Sequence, residues 1–104
     1  MSRGPDAATL LERALAASAE AMGCALTIPK AEMQRWASAT FAGAQHRLTL
    51  AGTASPLLDS WLVALPEAEF DLRGHLVADL KVMRVSCDGD AVSVALEVLT
   101  VEER

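Results

Sequence analysis

Two short polar segments carry the side chains of this sequence that are best suited to bind a small charged molecule. They read QHR at 45–47 and RGH at 73–75. An arginine guanidinium matches the oxygens of a carboxylate or a phosphate, and a histidine exchanges a proton near neutral pH. If both segments lie at one end of the same sheet, they form a site for a small anion. Its candidate ligands are His46, Arg47, Arg73 and His75.

Other kinds of chemistry find little support in the sequence. The pair His75 and Asp79 supplies two metal-ligand types, but on a strand these residues lie about 13 Å apart, too far to share one ion. The chain contains no GxGxxG, GxxxxGK[ST], HExxH or GxSxG motif. We therefore predict no metal site and no cofactor, and the sequence leaves open whether the chain is an enzyme.

Composition limits the partners that we expect. The formal net charge is −5, which disfavours binding to nucleic acid or to an anionic membrane surface. No stretch is long and apolar enough to span a bilayer, and Asp6, Glu12 and Glu20 interrupt any signal-peptide pattern. We expect a cytoplasmic location with both cysteines buried and reduced. The abundance of alanine and arginine is typical of a GC-rich bacterial genome.

The first half of the chain predicts a helix and a group of strands. Apolar residues recur at helical spacing over 5–22, with Pro5 in the first turn and Gly23 as the stop. Residues 24–28 are expected to form a short strand that ends at Pro29. A second strand begins at Arg35, and 46–50 is its return strand.

The second half predicts a helix followed by a long hairpin. Ser55 and Pro56 mark the start of a helix over 56–65. Residues 76–87 and 91–101 form two strands joined by a turn at Asp88-Gly89, which would place Val85 opposite Val92. The alternation slips between Val82 and Arg84, and a bulge there would place Val82 opposite Leu96 and Leu80 opposite Val98.

These elements predict one α+β domain over 1–104, in the order α-β-β-β-α-β-β. The sheet would be mainly antiparallel, with four or five strands, and both helices would cover one face as a two-layer sandwich. Asp79 and Lys81 would lie on the solvent face of that sheet. Trp36 and Trp61 would lie in the core.

Two functions compete on this basis. The first is a small non-catalytic interaction or regulatory module that forms a homodimer or binds another protein, because a one-sided sheet leaves a face and two edges free. The second is an anion-binding protein or small enzyme with its site at His46, Arg47, Arg73 and His75. We favour the interaction module.

Overall fold

The structure, a computed structural model, describes residues 6–103. Its elements follow the order α-β-β-α-β-β, with a short 3₁₀ turn at Leu65–Glu67 after the second helix. They are α1 (Ala7–Ala21), β1 (Leu26–Ala37), β2 (Ala42–Thr53), α2 (Pro56–Ala64), β3 (His75–Asp88) and β4 (Ala91–Glu102). The α+β class and the antiparallel sheet are confirmed, but two strands precede α2 instead of three.

The strand predicted at 24–28 and the strand predicted from Arg35 are the two ends of β1. Pro29 lies inside this strand, where the pairing with β2 shifts register between Thr27 and Lys30. Proline has no N–H to give to a neighbouring strand, and it is tolerated at a bulge or on the outer edge of a sheet. β1 is an edge strand, so Pro29 interrupts the pairing without ending the strand.

The two halves of the chain meet in the middle of the sheet. The strand order is β1-β2-β4-β3, and every neighbouring pair is antiparallel. Each half therefore contributes a helix and a hairpin, and the inner strands β2 and β4 join the hairpins. Leu48 lies opposite Leu96 at the centre of this pairing.

Two of the helix ends carry the capping residues that the sequence predicts, Ser55 before α2 and Gly23 after α1. The Ser55 hydroxyl accepts a hydrogen bond from the Leu58 backbone N–H at 3.0 Å, as expected of a residue that precedes the first turn. Gly23 follows α1 with a φ of 86°, a backbone conformation that favours glycine. At the start of α1 the Asp6 carboxylate accepts from the Thr9 N–H at 2.9 Å. The expected role of Pro5 lies outside the described residues.

The β3–β4 hairpin confirms the predicted bulge and corrects the turn. The register shifts between Val82 and Arg84, and Val82 lies opposite Leu96. The two turn residues, however, are Gly89 and Asp90, so Val85 lies opposite Val94 and not Val92. Gly89 alone has a positive φ there, 62°, and a two-residue turn with glycine in its first position is the type II′ turn that suits a hairpin.

Both helices pack on the same face of the sheet, as predicted. On β2 and β4 the even-numbered side chains point towards them, and the Trp61 indole N–H donates to the Ser18 hydroxyl at 2.9 Å, which ties α2 to α1. Cys24 is buried in this core, whereas Cys87 is exposed near the end of β3, contrary to expectation. The core side chains include Leu11, Leu15, Leu48, Leu50, Leu58, Trp61, Leu65, Leu80, Val94, Leu96 and Val98.

We predict that Gly43→Ala destabilises the protein by about 1–3 kcal/mol, the usual cost of overpacking. A Cβ at Gly43 would overlap the Thr100 carbonyl oxygen and lie 2.9 Å from Cζ2 of Trp36. The free energy of unfolding in urea measures the loss. Gly52→Ala is the matched control, because its Cβ would meet nothing closer than the Ala25 carbonyl at 3.4 Å. Equal stability of the two variants would contradict this close approach at Gly43.

Candidate functional site

His46 and Arg47 lie on opposite faces of the sheet, because successive residues of a strand point in opposite directions. His46 is on the helix-covered face and is only 2% exposed. Arg47 is exposed on the other face, where its Nε lies 3.9 Å from a Glu97 carboxylate oxygen. These two predicted ligands therefore cannot converge on one small molecule.

His75 and Arg73 occupy the start of β3 and the loop before it. Arg73 is exposed, whereas His75 is half-buried and close enough to His46 to lower the pKa of that imidazole. The Asp6 carboxylate, at the start of α1, interacts with both imidazoles. The structure thus places His46 and His75 at the same end of the sheet, below the start of α1, without Arg47.

His46 belongs to a short buried chain of hydrogen bonds. Its Nε2 lies 2.9 Å from the hydroxyl oxygen of Thr100, and that hydroxyl donates to the Ala44 carbonyl at 3.3 Å. Because the Thr100 proton is directed at Ala44, its oxygen accepts, and Nε2 of His46 is the protonated nitrogen. Thr100 is fully buried. The three residues link β2 to β4 at the end of the core.

Burial holds the pKa of His46 below its ordinary value, since the charged imidazolium loses its water in the core. The Asp6 carboxylate opposes this effect and raises the pKa, while His75 lowers it further. His46 is therefore a neutral, hydrogen-bonded core residue near neutral pH. Such a side chain organises the protein interior and has no exposed surface from which to bind a ligand.

The same end of the core offers few further ligands. Nδ1 of His75 is buried and has no hydrogen-bond partner among residues 6–103. The nearby Arg35 guanidinium is engaged with Glu102 at 3.5 Å. Within that same described range, no cluster of three or more His, Cys, Asp or Glu side chains could hold a metal ion.

The opposite side of the sheet, which we call the open face, bears the odd-numbered residues of β2 and β4. Cross-strand register arranges its side chains in rows that run from β1 to β3. One row, the apolar row, reads Trp36, Gly43, Val101 and Leu76. The next reads Gln34, Gln45, Leu99 and Asp79. The third, the charged row, reads Glu32, Arg47, Glu97 and Lys81.

The charged row alternates in sign at every strand. Arg47 on β2 and Glu97 on β4 lie directly opposite each other. Gln45 also donates to the Glu97 carboxylate at 3.4 Å. Lys81 lies opposite Glu97, as the sequence predicts for the solvent face, although its ammonium is nearest to Asp79, at 3.7 Å. Opposite charges on neighbouring strands stabilise a sheet modestly, by about 0.2–1 kcal/mol a pair.

The apolar row leaves hydrophobic surface in contact with solvent. Leu76 is 54% exposed, and Trp36 is only partly buried, whereas Trp61 lies in the core as predicted. Within residues 6–103 the indole nitrogen of Trp36 has no hydrogen-bond partner although its surface is buried. Beside this indole is a shallow depression of about 440 Å³, lined by Gln34, Arg35, Trp36, Gln45 and Leu99.

The sequence analysis predicts neither the hydrogen bond between His46 and Thr100 nor the rows of the open face. The alternation of β2 was visible and could have separated His46 from Arg47. The link from His46 to Thr100 spans 54 positions and depends on the pairing of β2 with β4. The rows of the open face depend on the same pairing.

The chain matches no protein-family model, no curated protein and no solved structure. In the part of the chain that the structure describes, neither helix has the length and apolar character needed to cross a membrane.

We predict that stability falls as the pH is lowered from about 7.5 to 5.5, with a slope of at most about 1.4 kcal/mol per pH unit from His46. Its folded pKa is below its unfolded pKa, so the unfolded chain binds more protons in this window, and acidification favours unfolding. Urea unfolding at several pH values measures the slope. His46→Leu should reduce the slope of stability against pH. An unchanged slope in that variant would contradict the attribution of the slope to His46.

We also predict that Thr100→Val costs about 1–3 kcal/mol of stability, because the buried N–H of His46 loses its acceptor. Thr49→Val, a half-buried position on the open face of β2, is the control and should change stability by less than about 0.5 kcal/mol. Urea unfolding at pH 7.5 compares the two. A neutral Thr100→Val would show that the hydrogen bond contributes nothing to stability.

Proposed function

We propose that the protein is a non-catalytic interaction module that forms a homodimer through the open face of its sheet. The observation that carries this proposal is the apolar row on the face without helices, which one row separates from the charged row. Isolated apolar residues are common on surfaces, but a contiguous strip with an ordered polar border is typical of an interface.

The size of the open face suits this function. Four strands of 12 to 14 residues present an area of roughly 20 by 40 Å, or about 700–800 Å². A stable interface of standard size buries about 800 Å² on each partner. One further copy of the chain is therefore sufficient to cover the face.

The Trp36 side chain also suits an interface. It is partly buried on the open face, and tryptophan is enriched in the buried centres of interfaces. Both cysteines are free, which fits a reducing compartment, and we include the bacterial cytoplasm in the proposal as its place of action.

The competing function, anion binding at His46, Arg47, Arg73 and His75, has less physical support. Its two central residues lie on opposite faces of the sheet, and His46 is inaccessible. His46 acts through the hydrogen bond to Thr100 in the core, which is a structural role.

We predict that the native protein is a dimer and that Leu99→Lys converts it to a monomer. Leu99 is half-buried on the open face, between the apolar row and the charged row, and a lysine there would place an unpaired charge in the interface. Native mass spectrometry and light scattering after size exclusion measure the mass.

The control is Val63→Lys, which adds the same charge on α2 at a position that is 82% exposed. This variant should remain a dimer. A monomeric native protein at all concentrations, or equal effects of the two lysines, would contradict the proposal. Far-UV circular dichroism confirms that both variants keep the fold.

A further inference from the structure

We propose that the two copies stack face to face about a two-fold axis that runs parallel to the strands, between β2 and β4. This inference rests on the proposed homodimer and specifies its geometry. This rotation turns one sheet over onto the other, and every strand keeps its direction along the axis. It places β1 of each copy on β3 of the other, and β2 on β4. Each row of the open face then meets the same row of the partner in reverse order.

The reversal makes the charged row complementary to itself. The row alternates in sign over an even number of strands, so its two ends carry opposite charges, as do its two middle positions. Glu32 then faces the partner's Lys81, and Arg47 faces the partner's Glu97. The two-fold axis generates both contacts twice, which gives four pairs of opposite sign in this row. In the next row Lys30 faces the partner's Arg84, so the same axis also generates two pairs of like sign there.

A two-fold axis perpendicular to the strands lacks this property. It would place each strand over the same strand of the partner and reverse the order of the rows. When such an axis passes through the charged row, Glu32 faces the partner's Glu32 and Arg47 faces the partner's Arg47. Like charges brought together in a partly desolvated interface repel, and such a juxtaposition costs several kcal/mol. The order of signs within the charged row therefore favours the parallel axis over a perpendicular axis through that row.

The apolar row fits the same arrangement. Trp36 would lie over the partner's Leu76, and Gly43, which has no side chain, over the partner's Val101. The large indole thus meets an exposed leucine and not a second indole.

The separation of stacked sheets accommodates both rows. Sheets that pack face to face lie about 10 Å apart. Facing long side chains such as arginine and glutamate span that distance with their charged groups in contact, and their aliphatic stems cover apolar surface. Twist in each sheet turns the strands of aligned sheets by about 30°, which a two-fold axis along their mean direction preserves.

Cross-linking at the outer strands tests the axis. Gln34 on β1 and Asp79 on β3 share a row, so a parallel axis places Gln34 over the partner's Asp79. Single variants Gln34→Cys and Asp79→Cys are made in a Cys87→Ser background, since Cys87 is exposed and Cys24 is buried. They are mixed, allowed to exchange subunits, and treated with a bis-maleimide that spans about 10 Å, the distance between stacked sheets.

The expected result is a cross-linked heterodimer in the mixture and at least a fivefold lower yield from either variant alone. Efficient cross-linking of Gln34→Cys to itself would overturn the proposed axis and indicate the perpendicular one. A dimer by native mass spectrometry with no cross-link in any sample would also overturn it. A protein that is monomeric before cross-linking would instead refute the homodimer itself, so the two failures are distinguishable.

Charge reversal provides a second test of the same geometry. Arg47→Glu and Glu97→Arg should each weaken the dimer at least tenfold, and a mixture of the two should form heterodimers in preference to either homodimer. The double variant, which exchanges the charges within one chain, should recover the native dissociation constant to within threefold. Thermal unfolding of the monomers measures any loss of the Arg47–Glu97 pairing within a chain, separately from the loss of contacts between chains. Equal dimer affinity in all variants would contradict the proposal.

Discussion

The pairing of β2 with β4 determines which side chains of this protein are buried. It joins two local hairpins into one sheet, and it sets even-numbered residues of both inner strands against the helices. A slip of one residue in this pairing would turn the core side chains of one strand, such as Leu48 of β2, towards solvent. The hydrogen bond from His46 to Thr100 crosses this same pair of strands, so it adds a directional link where apolar packing alone is less specific.

The limited amount of helix explains the character of the second face. α1 and α2 cover one side of the sheet, and the buried apolar side chains of the inner strands pack against them on that side. The other side is left with polar rows in its middle and an apolar row at one end. The open face is neither a second core nor an ordinary solvated surface, and we propose that a second copy of the chain covers it.

Features carried by neighbouring residues could be predicted from the sequence, whereas features created by the strand order could not. The Ser55 cap and the bulge after Val82 depend on a few adjacent positions, and both are present. The strand end predicted at Pro29 is wrong, because an edge strand tolerates proline and the local sequence does not reveal which strands are edges. The charged row joins residues from four strands, and no local pattern contains it.

The most direct test of the open face as an interface is the fluorescence of Trp36 on dilution. Trp61→Phe leaves Trp36 as the only indole, and it lies on the open face. We expect a blue-shifted emission at high concentration that moves to longer wavelength on dilution, with the same midpoint as the dissociation measured by mass. An emission that stays constant while the dimer dissociates would contradict the account, because the dimer would then use another surface.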